Sequence, residues 1–159
     1  MRELCERHIA RNPNARVTYD DLAYWYDGYL TENGERRFNP RSVVLSLSDD
    51  SLRSYWTESG PYDEIYYYVQ NNIAAVRDDL VRMVAGEPVP AHMRNHAASS
   101  MSLSTKDEIF SAMAVYGFLT YHGGYVSIPN HELMLKFQDL LAKEDLGYVA
   151  RLAQSIEEL

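Results

Sequence analysis

Cysteine is almost missing from this chain of 159 residues: Cys5 is the only one. An intramolecular disulfide and a cysteine-based zinc site are thereby excluded, since each needs more than one thiol. The dipeptide Gly-Lys is absent too, because the eight glycines are followed by Tyr, Glu, Pro, Glu, Phe, Gly, Tyr and Tyr. A phosphate-binding P-loop ends in Gly-Lys-Ser/Thr, whose lysine and backbone amides cradle the phosphates, so this chain contains none. Basic residues are scarce, 15 against 23 acidic ones for a net charge of −8. That balance disfavours a dedicated nucleic-acid binder, which must neutralise phosphates with clustered cations. No apolar run reaches the ~18 residues of a membrane span, and Met1-Arg2-Glu3-Leu4-Cys5-Glu6 lacks the apolar stretch of a signal peptide. The expectation is a soluble cytoplasmic protein with no membrane partner.

Hydrophobic residues make up 46% and charged residues 24%, an ordinary globular balance that argues against disorder. Thirteen tyrosines stand out. They point to half-buried contacts or a partner-binding surface, because tyrosine joins an apolar ring to a polar tip. Residues 1–41 hold seven basic and seven acidic residues, so the whole deficit falls on residues 42–159. Arg36, Arg37 and Arg41 form the one local basic cluster, read either as a solvated loop or as an anion contact.

The local pattern is mainly α. A short helix is expected over residues 2–10, ended by Asn12-Pro13-Asn14. Thr18 with Asp20 and Asp21 opens a second, running to Tyr26 and terminated at Asp27-Gly28 by a left-handed glycine cap. Asn33-Gly34 marks a tight reversal. Asn39-Pro40 starts the next helix, with Val43, Val44 and Leu47 on its buried face. Gly60-Pro61 punctuates, and residues 62–85 form two helices or one bent helix that ends at Gly86. Ile73, Val76, Leu80, Met83 and Val84 recur there at helical spacing. Residues 87–102 carry two prolines and no period, and are expected to be an extended connection. Ser104-Thr105-Lys106-Asp107 begins a helix with Ile109, Phe110, Met113 and Ala114 on one face. A hairpin turning at Gly123-Gly124 follows, then a helix with Leu133, Phe137, Leu140 and Leu141, and a last one from about Asp145 to Glu157. Helix, hairpin, helix is a winged-helix-like order.

Catalytic constellations are hard to find. His92 and His96 have a metal-compatible i, i+4 spacing, but two prolines precede them and no carboxylate or cysteine lies close by, so a polar connection is the simpler reading. His122 falls in the hairpin turn and is expected to be solvated. Adjacent acids such as Asp49-Asp50, Asp78-Asp79 and Glu157-Glu158 point about 100° apart on a helix and suit caps or solvated faces better than acid–base pairs. No Gly-x-Ser-x-Gly occurs and Cys5 has no evident base. Residues 101–137 hold Lys106 and Lys136 against Asp107, Glu108 and Glu132, too few cations for a DNA-recognition helix.

Several segments together carry a resemblance. Trp25-Tyr26-Asp27-Gly28-Tyr29, followed by Asn39-Pro40-Arg41-Ser42-Val43, resembles the Trp-Tyr-Asp-Gly-Tyr … Asn-Pro-x-Ser pair of a bacterial AAA-ATPase-like family commonly fused to a PD-(D/E)XK nuclease-like domain. Tyr55-Trp56-Thr57 with Ser59-Gly60 fits the same family, as does Leu80 through Ala85-Gly86-Glu87. Gly117-Phe118-Leu119-Thr120 and Ile128-Pro129-Asn130-His131-Glu132 are similar to its Gly-Tyr-Leu … Ile-Pro-Asn-x-Glu pattern. The match runs from about Thr18 to Leu141.

The resemblance implies the helical and winged-helix-like part that follows a P-loop ATPase core, with the nuclease-like domain expected beyond Leu159. It divides the chain into a helical lid-like region (1–86), an extended connection (87–103) and a winged-helix-like region with a C-terminal helix (104–159). The expected function is a non-catalytic lid or interaction module that completes or senses a nucleotide site supplied by a P-loop core. ATP and Mg²⁺ would enter only with that core. Trp25, Tyr26, Asp27, Gly28, Tyr29, Asn39, Pro40 and Ser42 are the motif residues, read either as packing two helices together or as facing the nucleotide. Arg36, Arg37 and Arg41 could add charge beside a helix N-terminus, though none is carried over by motif. No catalytic or metal-binding residue is expected. The partners are a P-loop core or another protein, with homodimerisation as a further expectation. The alternatives are an autonomous protein-binding module and, less favoured, a winged-helix DNA-binding module.

Overall fold

A computed structural model describes residues 1–58, 60–93 and 105–143. The described residues are mainly helical, with two small antiparallel sheets. The expected last helix from Asp145, the residue His96 and most of the expected connection lie outside them. No helix among the described residues is long and apolar enough to cross a membrane.

Local capping chemistry sets the first elements. Helix α1 spans Arg2–Arg11 and buries only Cys5. Helix α2 spans Tyr19–Tyr26 and opens with a reciprocal capping box: the Asp21 amide donates to Thr18 Oγ1, and the Thr18 amide donates to Asp21 Oδ2. The helix stops at Asp27 as expected, but without a left-handed cap. Asp27 is already extended, and the chain passes straight into strand β1 (Asp27–Leu30). Strand β2 (Arg36–Phe38) pairs with it antiparallel, Tyr29 opposite Arg37 and Leu30 opposite Arg36, with a bulge between Asp27 and Tyr29. The reversal at Asn33-Gly34 is therefore the turn of a true hairpin, whose strands are too short to show a period.

Helix α3 spans Pro40–Asp49 and starts at Asn39 as the sequence predicts. Its buried face differs from expectation: Val43 and Leu47 are buried, but Val44 is 57% exposed, and Ser42 and Ser46 take the inner positions. Both serines have internal acceptors, Ser46 Oγ donating to the Ser51 carbonyl and Ser42 Oγ to Glu132, so these polar residues are buried without unmet hydrogen bonds. At the far end Asp50 adopts a left-handed conformation, and its Oδ1 accepts from the amides of Arg16 and Val17.

A 3₁₀ turn (Trp56–Glu58) leads into the single long helix α4 (Gly60–Val84). Gly60-Pro61 thus opens a helix, because the amide that proline lacks is unused in a first turn. The chain after Gly86 is not wholly unpaired: Val89–Pro90 forms β3. Helix α5 (Lys106–Val115) begins with a second capping box, Thr105 with Glu108. Then come β4 (Thr120–His122), β5 (Tyr125–Ser127) and helix α6, residues 131–143. The second sheet has the order β3-β5-β4, all antiparallel.

Two apolar cores result. Leu22, Tyr26, Val43, Leu47 and Tyr55 gather with Cys5 and Val17. Ile73, Val76, Leu80 and Met83 of α4 pack with α5, the second sheet and α6 through Phe110, Met113, Val126, Leu133 and Phe137. The second half of α4 therefore packs with the hairpin unit.

Candidate functional site

Between the two cores lies a buried polar junction, where residues from β1, α3, the Trp56–Glu58 turn and the start of α6 meet. At its centre is Glu132, in the first turn of α6 and fully buried. Both carboxylate oxygens lie 3.0 Å from Ser42 Oγ, and Oε1 accepts the Trp56 amide at 2.7 Å. The neighbouring Tyr55 amide donates instead to the Arg53 carbonyl at 3.0 Å. No lysine, arginine or histidine pairs with this carboxylate among the described residues. Burial pushes its proton affinity up to about 7, against the pull of the donors from Trp56 and Ser42.

Tyr29 of β1 enters the junction from another side. Its hydroxyl donates to the Gly117 carbonyl at 3.0 Å. Burial, then the Glu132 charge, raise its pKa; the side chains of Asn130 and Asn39 act the other way. Gly117 has φ +79°, a left-handed conformation that favours glycine, and it lies in ordinary contact range of the Trp56 and Tyr29 rings. Trp56 also meets Phe118 edge-on, with ring centroids 5.1 Å apart. The Leu30 amide donates to Thr120 Oγ1 at 2.7 Å. Gly28, at the bulge, runs so close to α6 that a Cβ there would come within 1.9 Å of the Pro129 carbonyl oxygen. Asn130 caps α6 through Oδ1, which accepts the Leu133 amide, while its Nδ2 is buried without a partner.

The remaining predicted residues have defined places. The Trp25 ring meets His131 edge-on at 4.6 Å, and Tyr24 stacks on the same imidazole at 4.6 Å. Burial lowers the pKa of His131. The Tyr26 hydroxyl donates to the Arg53 carbonyl and accepts from the Arg53 amide, in the first core. Asp27 caps the Gly28 amide with one oxygen and pairs with Arg36 through the other at 3.2 Å. Arg37 pairs with Glu35, and Arg41 is exposed.

One of the two expectations for the start of α3 makes it an anion contact. Here its donors are occupied: Asn39 Oδ1 accepts from the amides of Arg41 and Ser42, the Asn39 carbonyl accepts from Val43, and Pro40 has no N–H. An anion would have to displace Asn39.

Ser42 and Glu132 resemble a nucleophile beside a base, but both are fully buried. Among the described residues no three His, Cys, Asp or Glu side chains could hold a metal ion. His122 is exposed as expected, although its Nδ1 lies 3.3 Å from the Thr31 carbonyl and its ring lies against Gly34. It also lines, with Leu30, Pro88, Tyr125 and Ser127, an open apolar cleft of about 320 Å³.

Sequence reasoning missed the role of Glu132, counting it as one more acid in a weakly acidic segment. The available signal was its position in Ile128-Pro129-Asn130-His131-Glu132, where an acid follows an Asn helix cap and so enters the first turn. Comparison with protein-family models, curated proteins and solved structures finds no match to this chain.

Proposed function

We propose that this chain is a non-catalytic interaction module that works with a P-loop ATPase core of the AAA-ATPase-like kind, its helical first part acting as a lid and its α5–β4–β5–α6 unit as a winged-helix-like element. One observation carries this reading. The motif segments around Tyr29, Asn39–Ser42, Tyr55–Trp56, Gly117 and Asn130–Glu132, far apart in sequence, converge on one junction. In this reading the motif residues build the module, and the contact with the core is made by its exposed surface. Arg41 and Tyr24, which is 64% exposed, lie beside the motif residues on that surface.

Two measurements test it. The isolated chain should show no rise in melting temperature with millimolar ATP and Mg²⁺. Purified from its source cells in ATP and Mg²⁺, the native polypeptide or a stoichiometric companion should contain Gly-x-x-x-x-Gly-Lys-Ser/Thr by mass spectrometry. Nucleotide binding by the chain alone, or the absence of that motif from both polypeptides, refutes the reading.

A further inference from the structure

We infer that Glu132 and Ser42 form a buried proton-binding dyad that sets how firmly the Trp56–Glu58 turn is held to α6 as Glu132 gains or loses its proton. A carboxylate with no cation beside it is stable in a protein interior only if donors satisfy it, and here they come from outside its own helix. Ser42 belongs to α3, and the Trp56 amide belongs to the segment that leads into α4. Ionised, Glu132 accepts from both. Protonated, it must donate once and has less to offer as an acceptor.

The serine makes that exchange feasible without unfolding. Its hydroxyl is 3.0 Å from both carboxylate oxygens, so it can donate to the ionised group or turn and accept from the protonated one. A backbone amide cannot reverse in this way. The consequence falls on Trp56, whose 2.7 Å bond to Oε1 is charge-assisted only while Glu132 is ionised. The titratable groups that bear on the dyad from other elements are two tyrosines, Tyr29 of β1 and Tyr26 of α2, both with raised pKa. These stay neutral across the window. His131, next to Glu132 on α6, has its ring against Tyr24 and Trp25. Glu132 is thus the group whose charge acts directly on the bonds to Ser42 and Trp56, while the neighbouring His131, its pKa lowered by burial, changes charge below its usual 6.5. The inference does not depend on the ATPase reading.

The test is a carbon-detected NMR titration of the Glu132 side-chain carboxyl in the native chain, alongside the Trp56 amide proton. The carboxyl should titrate with a midpoint between about 6 and 8 while the dispersed folded spectrum persists. The Trp56 amide should move upfield on acidification with the same midpoint. Ser42→Ala, which removes a donor to the ionised form, should raise that midpoint. In Glu132→Gln, if it folds, the Trp56 amide should no longer respond. A carboxyl midpoint below about 5 or above about 9, or a Trp56 amide unmoved between pH 5.5 and 8.5, overturns the inference.

Discussion

Replacing Gly28 with alanine should be among the most damaging small changes available in this chain. The added Cβ would lie 1.9 Å from the Pro129 carbonyl oxygen and 2.9 Å from its carbon. Neither is the tip of a flexible side chain; both are backbone, immediately before the Asn130 cap of α6. The residue also has φ +127°, where an L side chain is strained by ~1–3 kcal/mol. Relief requires β1 to move away from the start of α6, which strains the Leu30–Thr120 and Tyr29–Gly117 bonds that hold β1 to β4 and to the turn after α5. Weakening one or two such bonds adds ~1–3 kcal/mol. A total loss of ~3–5 kcal/mol should lower the melting temperature by roughly 6–20 °C for a domain of this size. The assay is thermal unfolding by circular dichroism, with Gly86→Ala as the control. Gly86 also has positive φ, +94°, but a Cβ there meets nothing within 4 Å, so its variant reports backbone strain alone. If Gly28→Ala melts no lower than Gly86→Ala, β1 and α6 are not in contact as described.

Asn39→Ala should lose ~0.5–2 kcal/mol through the missing helix cap, read as a lower urea midpoint; an unchanged midpoint would contradict the start assigned to α3. Val43→Ala should cost ~2 kcal/mol, while Val44→Lys on the adjacent exposed position should stay within ~0.5 kcal/mol, and the reverse order would mean that α3 is rotated. Ser42→Ala should destabilise by ~1–3 kcal/mol at pH 8.5, where Glu132 is ionised and needs its donor, and by less at pH 5.5. Because burial raises the pKa of folded Glu132 above its unfolded value, its contribution is complete below about pH 4.5 and is lost as pH rises through about 7. His131, with its pKa lowered, acts in the opposite sense, adding stability as pH rises toward 6.5. Subtracting the pH profile of Glu132→Gln from that of the wild type should isolate a difference of up to ~3 kcal/mol between pH 4.5 and 8, and parallel profiles would refute it.

Much of the helical framework was legible because its signals are local. Thr18 with Asp21, Asn39 before Pro40, and Thr105 before Glu108 each place the cap and its helix within four residues. The Gly123-Gly124 hairpin was legible for the same reason. Val44 misled because valine scores as core whatever surrounds it. The inner face of α3 was instead decided by Ser42, whose partner lies 90 residues away. Strand β3 was invisible because two residues have no period, and its pairing with Val126 and Tyr125 is a tertiary event. The motif residues could be picked out in order along the chain. That they surround one carboxylate could not, since no local pattern separates a buried acid in a first helical turn from a solvated one.

The hydrogen bonds of Glu132 also bear on how the chain folds. They span 90 residues to Ser42 and 76 to Trp56, longer than any contact needed to nucleate the first core. Closing such loops demands chain entropy that only an already ordered scaffold can offset, so these bonds belong to the last step of folding. Their loss should leave the refolding rate nearly unchanged and speed unfolding. The same ordering makes the junction a checkpoint. A nascent chain interrupted before Glu132 leaves the Trp56 amide without its acceptor, and the route from the first core into α4 is fully secured only when α6 arrives.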